Sequence, residues 1–213
     1  MPSRKYSKGL AKREEILDNA LDVIAQRGFG GATLRELADA ASLSITGLVH
    51  HFGTKEELLT AVLRRRDERD VGANYPREPE STAEMIEDLT RIVEHNTTVP
   101  GLVHLYTNLS ADATSPDHPA HSYFLERYRQ SRSIGQQAVA HLQDLGELPA
   151  GIDPADLSLL TIAMLDGLQL YWQFDHEIDM SRTLGALARI LTLASQNAGA
   201  GRPVAEPIET EPS

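Results

Sequence analysis

The chain has 213 residues, no cysteine and a formal net charge of −11. That length suits one large or two small domains with a real core, and the missing cysteine excludes a disulfide framework, a thiolate metal site and a cysteine nucleophile. No run approaches the ~20 apolar residues of a membrane span, and the basic opening lacks the apolar segment of a signal peptide, so a soluble cytoplasmic protein without a membrane partner is expected. An acidic balance argues against nucleic acid when taken whole, but the charge is unevenly placed. Up to Arg66 there are eleven Lys/Arg and eight Asp/Glu, a surplus of +3, and from Asp67 onward nine against twenty-three, a deficit of −14. A small basic head on an acidic body is the footprint of a protein that approaches phosphate with one end.

In chain order, a basic arm comes first, with Arg4, Lys5, Lys8, Lys12 and Arg13. It reads either as a solvated start or, if it adjoins a helix-turn-helix, as a phosphate contact. Ile16, Leu17, Ala20, Leu21, Ile24 and Ala25 then form the apolar stripe of a helix that Arg27-Gly28 ends. From Thr33 to Phe52 there are two short stripes: Leu34, Leu37, Ala38 and Ala41, a break at Ser42-Leu43, then Ile45, Leu48, Val49 and Phe52. That spacing predicts two short amphipathic helices joined by a tight turn. Thr33 with Glu36 makes a capping box, and Ser44 is the N-cap of the second helix. Helices this short need a third to brace them, and the preceding helix supplies it. The second helix carries small or hydrogen-bonding groups at Ser44, Thr46, Gly47, His50 and His51, which suits a helix laid against DNA. Helix-turn-helix geometry also occurs in proteins that never touch nucleic acid.

After the turn at Gly53, Thr54 and Glu57 repeat the capping box and open a helix that runs to Arg64-Arg65-Arg66. Lys55 in its first turn opposes the helix dipole, as expected of a lysine held for a phosphate or of an ordinary surface lysine. Further on, Pro76 and Pro79 make a break, and Ser81 with Glu84 caps a helix that stops before Pro100-Gly101. A short apolar segment covers Leu102 to Ala113, and a long one runs from about Ala120 to Leu145. Asp153-Pro154 starts a helix to about Phe174, and Ser181 starts the last. The tail from Gly199 lacks periodicity and is expected to be disordered. No β signal competes, and the fold class is all-α with about nine helices. The expected domains are 1–53, a helix-turn-helix head with its arm; 54–198, a larger helical body; and 199–213, the tail.

The run from Thr33 to Leu59 resembles the DNA-binding domain of the tetracycline-repressor (TetR) family of bacterial regulators. That family's pattern is a threonine, a short helix with Ile-Ala or Leu-Ala, Ala-Gly-Val-Ser at the turn, an aromatic-His-Phe ending and Lys-Glu-x-Leu. Here the elements are Thr33, Leu37-Ala38, Ala41-Ser42-Leu43-Ser44, His50-His51-Phe52 and Lys55-Glu56-Glu57-Leu58. Two departures stand out. Ser42 replaces the turn glycine, where a left-handed backbone costs about 1 kcal/mol. Val49 replaces a tyrosine that binds phosphate in many members, which moves the expected phosphate contacts to His51, Lys55 and the arm lysines Lys5 and Lys8.

The resemblance implies that Arg35, Ile45, Thr46, Gly47 and His50 face bases or backbone of double-stranded operator DNA, with Thr33 and Ser44 at the same surface. It also implies a homodimer and a small organic effector of unknown identity, in a regulator that represses a palindromic operator. The apolar residues Leu160, Met164, Leu168, Leu184, Leu187 and Leu191 of the last two helices either pair two subunits or bury in their own core. His95, His104, Tyr106, Asn108, His121, Phe124, Tyr128, Gln169 and Trp172 either line an effector pocket or are buried aromatic and polar groups with satisfied tips. No catalytic residue, metal or cofactor is expected. The competing readings are a helical small-molecule-binding module without DNA function and a metal hydrolase built on His118, His121, Asp112 and Asp117.

Overall fold

The computed structural model describes residues 4–27, 33–74 and 78–200, and among them it contains nine α-helices and no strand. They are α1 (Arg4–Arg27), α2 (Leu34–Ala40), α3 (Ile45–Phe52), α4 (Lys55–Asn74), α5 (Thr82–Thr98), α6 (Pro100–Asp112), α7 (His121–Asp144), α8 (Pro154–Phe174) and α9 (Met180–Ala200). Of the tail expected to be disordered from Gly199, Gly199 and Ala200 belong to α9, and 201–213 lie outside the described residues.

Local capping chemistry sets most of the helix starts. Thr33 Oγ1 accepts the Glu36 N–H at 3.2 Å while the Glu36 carboxylate accepts the Thr33 N–H at 2.9 Å, a complete capping box. Thr54 and Glu57 repeat it at 3.1 and 2.7 Å. Ser81 caps the Glu84 N–H, but the Glu84 carboxylate takes the N–H of Glu80 rather than that of Ser81, so only half of that box forms. Pro100, expected to lie between helices, instead occupies the first turn of α6, where its missing N–H costs nothing.

The turn between α2 and α3 has a defined geometry. Leu43 N–H donates to Ala38 O at 2.8 Å and Ser42 N–H to Asp39 O at 3.0 Å, the two bonds of a Schellman turn. Ser42 takes the left-handed position at φ 55°, the only non-glycine among the described residues with positive φ. The same pair of bonds ends α7, where Gly146 at φ 77° holds the position without strain. Gly53 lies between α3 and α4 at φ 83°, and a Cβ there would stand 2.2 Å from the Glu57 carboxylate. Any side chain at 53 would therefore break the α4 cap as well as strain the backbone.

Packing follows the stripes. Ile16, Leu17, Ala20, Leu21 and Ile24 of α1 bury against Leu37, Ala38, Leu48, Phe52, Leu58, Leu59, Val62 and Leu63. This head core does not close on itself: Leu102, Leu105 and Leu109 of α6 and Tyr123 and Phe124 of α7 belong to the same cluster. Two further clusters hold the body, one around Ile86, Val93, Trp172, Met180 and Leu184, the other around Val139, Leu142, Leu148, Leu157 and Leu191. α1 and α4 are also clamped by charge. Asp18 receives Arg65 on both oxygens, at 2.8 and 3.2 Å, and Arg69 at 2.9 Å.

Candidate nucleic-acid interface and internal cavity

α3 presents two sides. Leu48 and Phe52 are buried in the head core, while Ile45, Thr46, Val49 and His50 point to solvent, flanked by the half-buried Gly47 and His51. Residues 45 and 49 form one column of that outer face and 46 and 50 the next, as a period of 3.6 requires. Ser44 Oγ accepts the Gly47 N–H at 3.0 Å, and a Cβ at Gly47 would sit 3.3 Å from that oxygen, so glycine keeps the cap uncrowded. Thr33 and Arg35 are exposed at the start of α2, and Lys55 is half-buried in the first turn of α4. Arg13 does not reach outward: its guanidinium donates to His51 O at 3.0 Å and lies 4.4 Å over the Phe52 ring, tying the end of α3 to α1. Lys12 pairs with Glu15 at 2.9 Å. The side chains of Lys5 and Lys8 lie outside the described residues.

In the body, α5, α7 and α8 enclose a cavity of about 250 Å³ that α4 and α6 reach from the head side. Met85, Leu89 and Ile92 of α5, Ile134 and Val139 of α7 and Ile162 and Leu165 of α8 give it an apolar wall. Its polar residues gather where α4 arrives. Tyr128 donates to Asp166 at 2.7 Å and Tyr106 to the Tyr128 hydroxyl at 3.2 Å; Tyr123 donates to Asp67 at 2.7 Å, and Arg127 pairs with the same carboxylate. Burial pushes the three tyrosine hydroxyls up and raises Asp166 above the usual carboxylate range, while its hydrogen bond from Tyr128 and the Arg127 charge pull it back. Burial acts against the charge of Arg127, and Asp67 outweighs it together with the tyrosines, so the guanidinium is held charged. A second, open groove of about 890 Å³ runs from Ala25 and Gln26 at the end of α1 along α6 and α8. Tyr106, Tyr128 and Asp166 line both spaces and form the partition between them.

The expected pocket residues divide accordingly. His95, Tyr106, Tyr128 and Gln169 line the cavity, and His104 and Asn108 line the outer groove. Phe124, Trp172 and His121 line neither. Phe124 packs between Tyr106 and Tyr123, Trp172 is buried with its ring 4.5 Å from that of His176, and His121 Nδ1 lies 2.8 Å from Ala113 O in the loop before α7. Arg66, Asp67, Asp88, Arg127 and Asp166 were missed. Asp166, a lone charge inside the apolar run of α8, was a readable signal; the Asp67–Arg127 pair spans sixty residues of sequence and left none. Among the described residues no three His, Asp or Glu come together to hold a metal, and His118 spends its Nδ1 on the Ala120 N–H at 3.1 Å.

Of the apolar residues expected at a subunit interface, Leu184 and Leu191 are buried in the chain's own core, Met164, Leu168 and Leu187 are half-buried beside it, and Leu160 is 66% exposed. Tyr171 at 68% and Phe174 at 84% are exposed on the same helix, with Ile190 and Leu193 exposed on α9.

A braced pair of short helices with an outward α3, mounted on a helical body that encloses an apolar cavity, defines a helix-turn-helix architecture. Residues 16–62, from α1 to α4, match the model of the bacterial regulatory proteins, tetR family. It is 38% identical over 63 residues to the HTH-type transcriptional repressor KstR2 of Rhodococcus jostii, covering 30% of this chain and 31% of that protein. To the regulator RutR of Escherichia coli it is 46% identical over 55 residues, 26% of each chain. The chain thus spans less than a third of the length of these curated relatives. Among solved structures, AibR in complex with isovaleryl coenzyme A and operator DNA superposes with a TM-score of 0.58 at 18% identity, covering 85% of this chain and 98% of that one, a likeness of fold.

Proposed function

We propose that this protein is a cytoplasmic, ligand-responsive transcriptional repressor that binds a palindromic operator as a homodimer. The observation that carries the reading is the outward face of α3, held rigidly by the Ser44 cap, the buried Leu48 and Phe52 and the Arg13 clamp, in a head that carries the net positive charge of the chain. Arg35, Ile45, Thr46, Gly47 and His50 meet the groove, and His51, Lys55 and the arm lysines Lys5 and Lys8 meet phosphates. The exposed apolar strip of α8 and α9, with Leu160, Tyr171, Phe174, Ile190 and Leu193, supports the homodimer, since a strip of this kind is costly to leave in water.

The cavity takes the effector, a small and largely apolar molecule whose polar groups face Tyr128, Asp166 and Gln169. Arg66 and Asp67 of its wall belong to α4, and α4 begins in the head core through Leu58, Leu59, Val62 and Leu63. A ligand that displaces Asp67 from Arg127 and Tyr123 would shift α4 against the body and change the spacing of the two α3 helices. DNA affinity then falls by a coupling of ~1–3 kcal/mol. Selection of bound duplexes from a random pool, followed by anisotropy across a salt series, tests the reading. An enriched palindrome whose affinity falls steeply with salt is expected; no enrichment would overturn it. An effector that saturates the cavity and leaves operator affinity unchanged would sink the release mechanism alone.

A further inference from the structure

Among the residues up to Arg66 whose side chains are described, only two large apolar ones are exposed, Ile45 at 39% and Val49 at 42%. Both lie on α3, four residues apart, in one column of its outer face, while every other large apolar residue of that helix is buried. Leu48 and Phe52 of the same helix are taken into the head core, whereas Ile45 and Val49 are left on its outer face. Among the described residues nothing covers the 45/49 column. The neighbouring column, Thr46 and His50, carries the hydrogen-bonding groups.

In the major groove one base-edge group is apolar, the C5-methyl of thymine, and it is met by apolar side chains. A four-residue step advances about 6 Å along a helix, against about 3.4 Å for one base-pair step. A single groove-bound α3 therefore sets Ile45 and Val49 against bases within about two steps of each other. Neither side chain can donate or accept a hydrogen bond, so neither reads the donor and acceptor pattern. We propose that Ile45 and Val49 are a two-point thymine-methyl reader, so that each half-site of the operator carries two thymines fixed by their methyl groups, while Thr46, His50 and Arg35 supply the polar contacts. This rests on the reading of α3 as the groove-bound helix.

The test removes the methyl and nothing else. In the duplex enriched by selection with the full-length protein, each thymine is replaced in turn by deoxyuridine, and affinity is measured for the wild type, Ile45→Ala and Val49→Ala. Both variants alter exposed helical positions, and circular dichroism checks that each is folded. Burying one methyl-sized group is expected to be worth about fourfold in affinity, so two positions per half-site should each weaken binding by about that factor. One of those losses should vanish in Ile45→Ala and the other in Val49→Ala. If every deoxyuridine duplex binds the wild type as well as the parent does, the methyl reader is wrong while operator binding stands. If the losses persist undiminished in both alanine variants, other side chains read the methyls and the proposal is equally overturned. If no duplex is enriched at all, the groove-bound reading of α3 fails and this inference fails with it.

Discussion

The head and the body solve opposite problems with the same nine-helix vocabulary. In the head the candidate site residues point outward, and the helices that carry them are fixed by bonds between residues three to five apart: the Thr33–Glu36 box, the Ser44 cap and the Schellman turn at Ser42-Leu43. In the body the groups point inward and are fixed by partners far apart in sequence, Asp67 with Arg127, Tyr128 with Asp166 and Asn96 with Gln169 at 3.3 Å. An outward face needs only a rigid helix beneath it. A cavity needs several helices to agree on a gap, and its polar groups must then satisfy one another because water does not reach all of them.

The contrast can be broken at its largest scale through the subunit contact. Replacing Leu160 and Tyr171 together by aspartate alters two side chains that are exposed in the single chain, so helicity should be unchanged. If the strip pairs subunits, sedimentation equilibrium should report a monomer. Operator affinity should fall on the order of 10²-fold, because two linked heads bind far more tightly than one. A variant that stays dimeric would place the interface elsewhere.

A smaller and more exact comparison uses a turn that occurs in both regions. The α2 and α7 turns have the same two hydrogen bonds, but serine holds the left-handed position in the head and glycine in the body. Ser42→Gly should stabilise the protein by up to about 1 kcal/mol, and Gly146→Ala should destabilise it by about the same amount. Urea titration reads both, and equal signs would mean that the left-handed backbone is not what limits these turns. The Ser42 strain answers the departure from the family pattern in the sequence: the geometry is kept and the residue bears the cost.

The smallest effect concerns the α1–α4 clamp. The hydrogen bond from Arg65, helped by Arg69, holds the Asp18 carboxyl below its ordinary value against a modest opposing effect of burial. A carboxyl depressed in the folded state adds stability above its unfolded pKa of about 3.9, and that stability is lost as pH falls through the folded value. Because the pair is partly solvated, Asp18→Asn should cost only about 0.5 kcal/mol at pH 7. Thermal melts of wild type and variant should differ at pH 7 and converge toward pH 3. A gap that is constant with pH would assign the loss to packing.

The helices and caps of the head could be read from the sequence because their signals are local, whereas the inward turn of Arg13 onto His51 and Phe52 could not. Capping hydroxyls lie three residues from their partners, the stripe of α1 repeats at helical spacing, and Ser42 marks a turn that a structure must still bend. The body was legible as helices but not as a site. His121, Phe124 and Trp172 have the composition of pocket residues, yet two of them fill cores and one closes a loop, since aromatic and polar residues serve both ends equally well. Leu160 of α8 and Leu184 and Leu191 of α9 are equally apolar in sequence, and only the packing of each helix decides that Leu184 and Leu191 are buried and Leu160 faces outward.

The sequence by itself determined the run of helices, several of their caps, the placement of positive charge at one end and the two faces of α3, all consequences of bonds and periodicities that span a few residues. Tertiary structure alone decided where the cavity lies, that Asp67 of α4 meets Arg127 of α7, and which apolar side chains of α8 remain in water. Those depend on how whole helices pack, and helix packing is set by the sum of many weak contacts between residues distant in sequence, which no local pattern encodes.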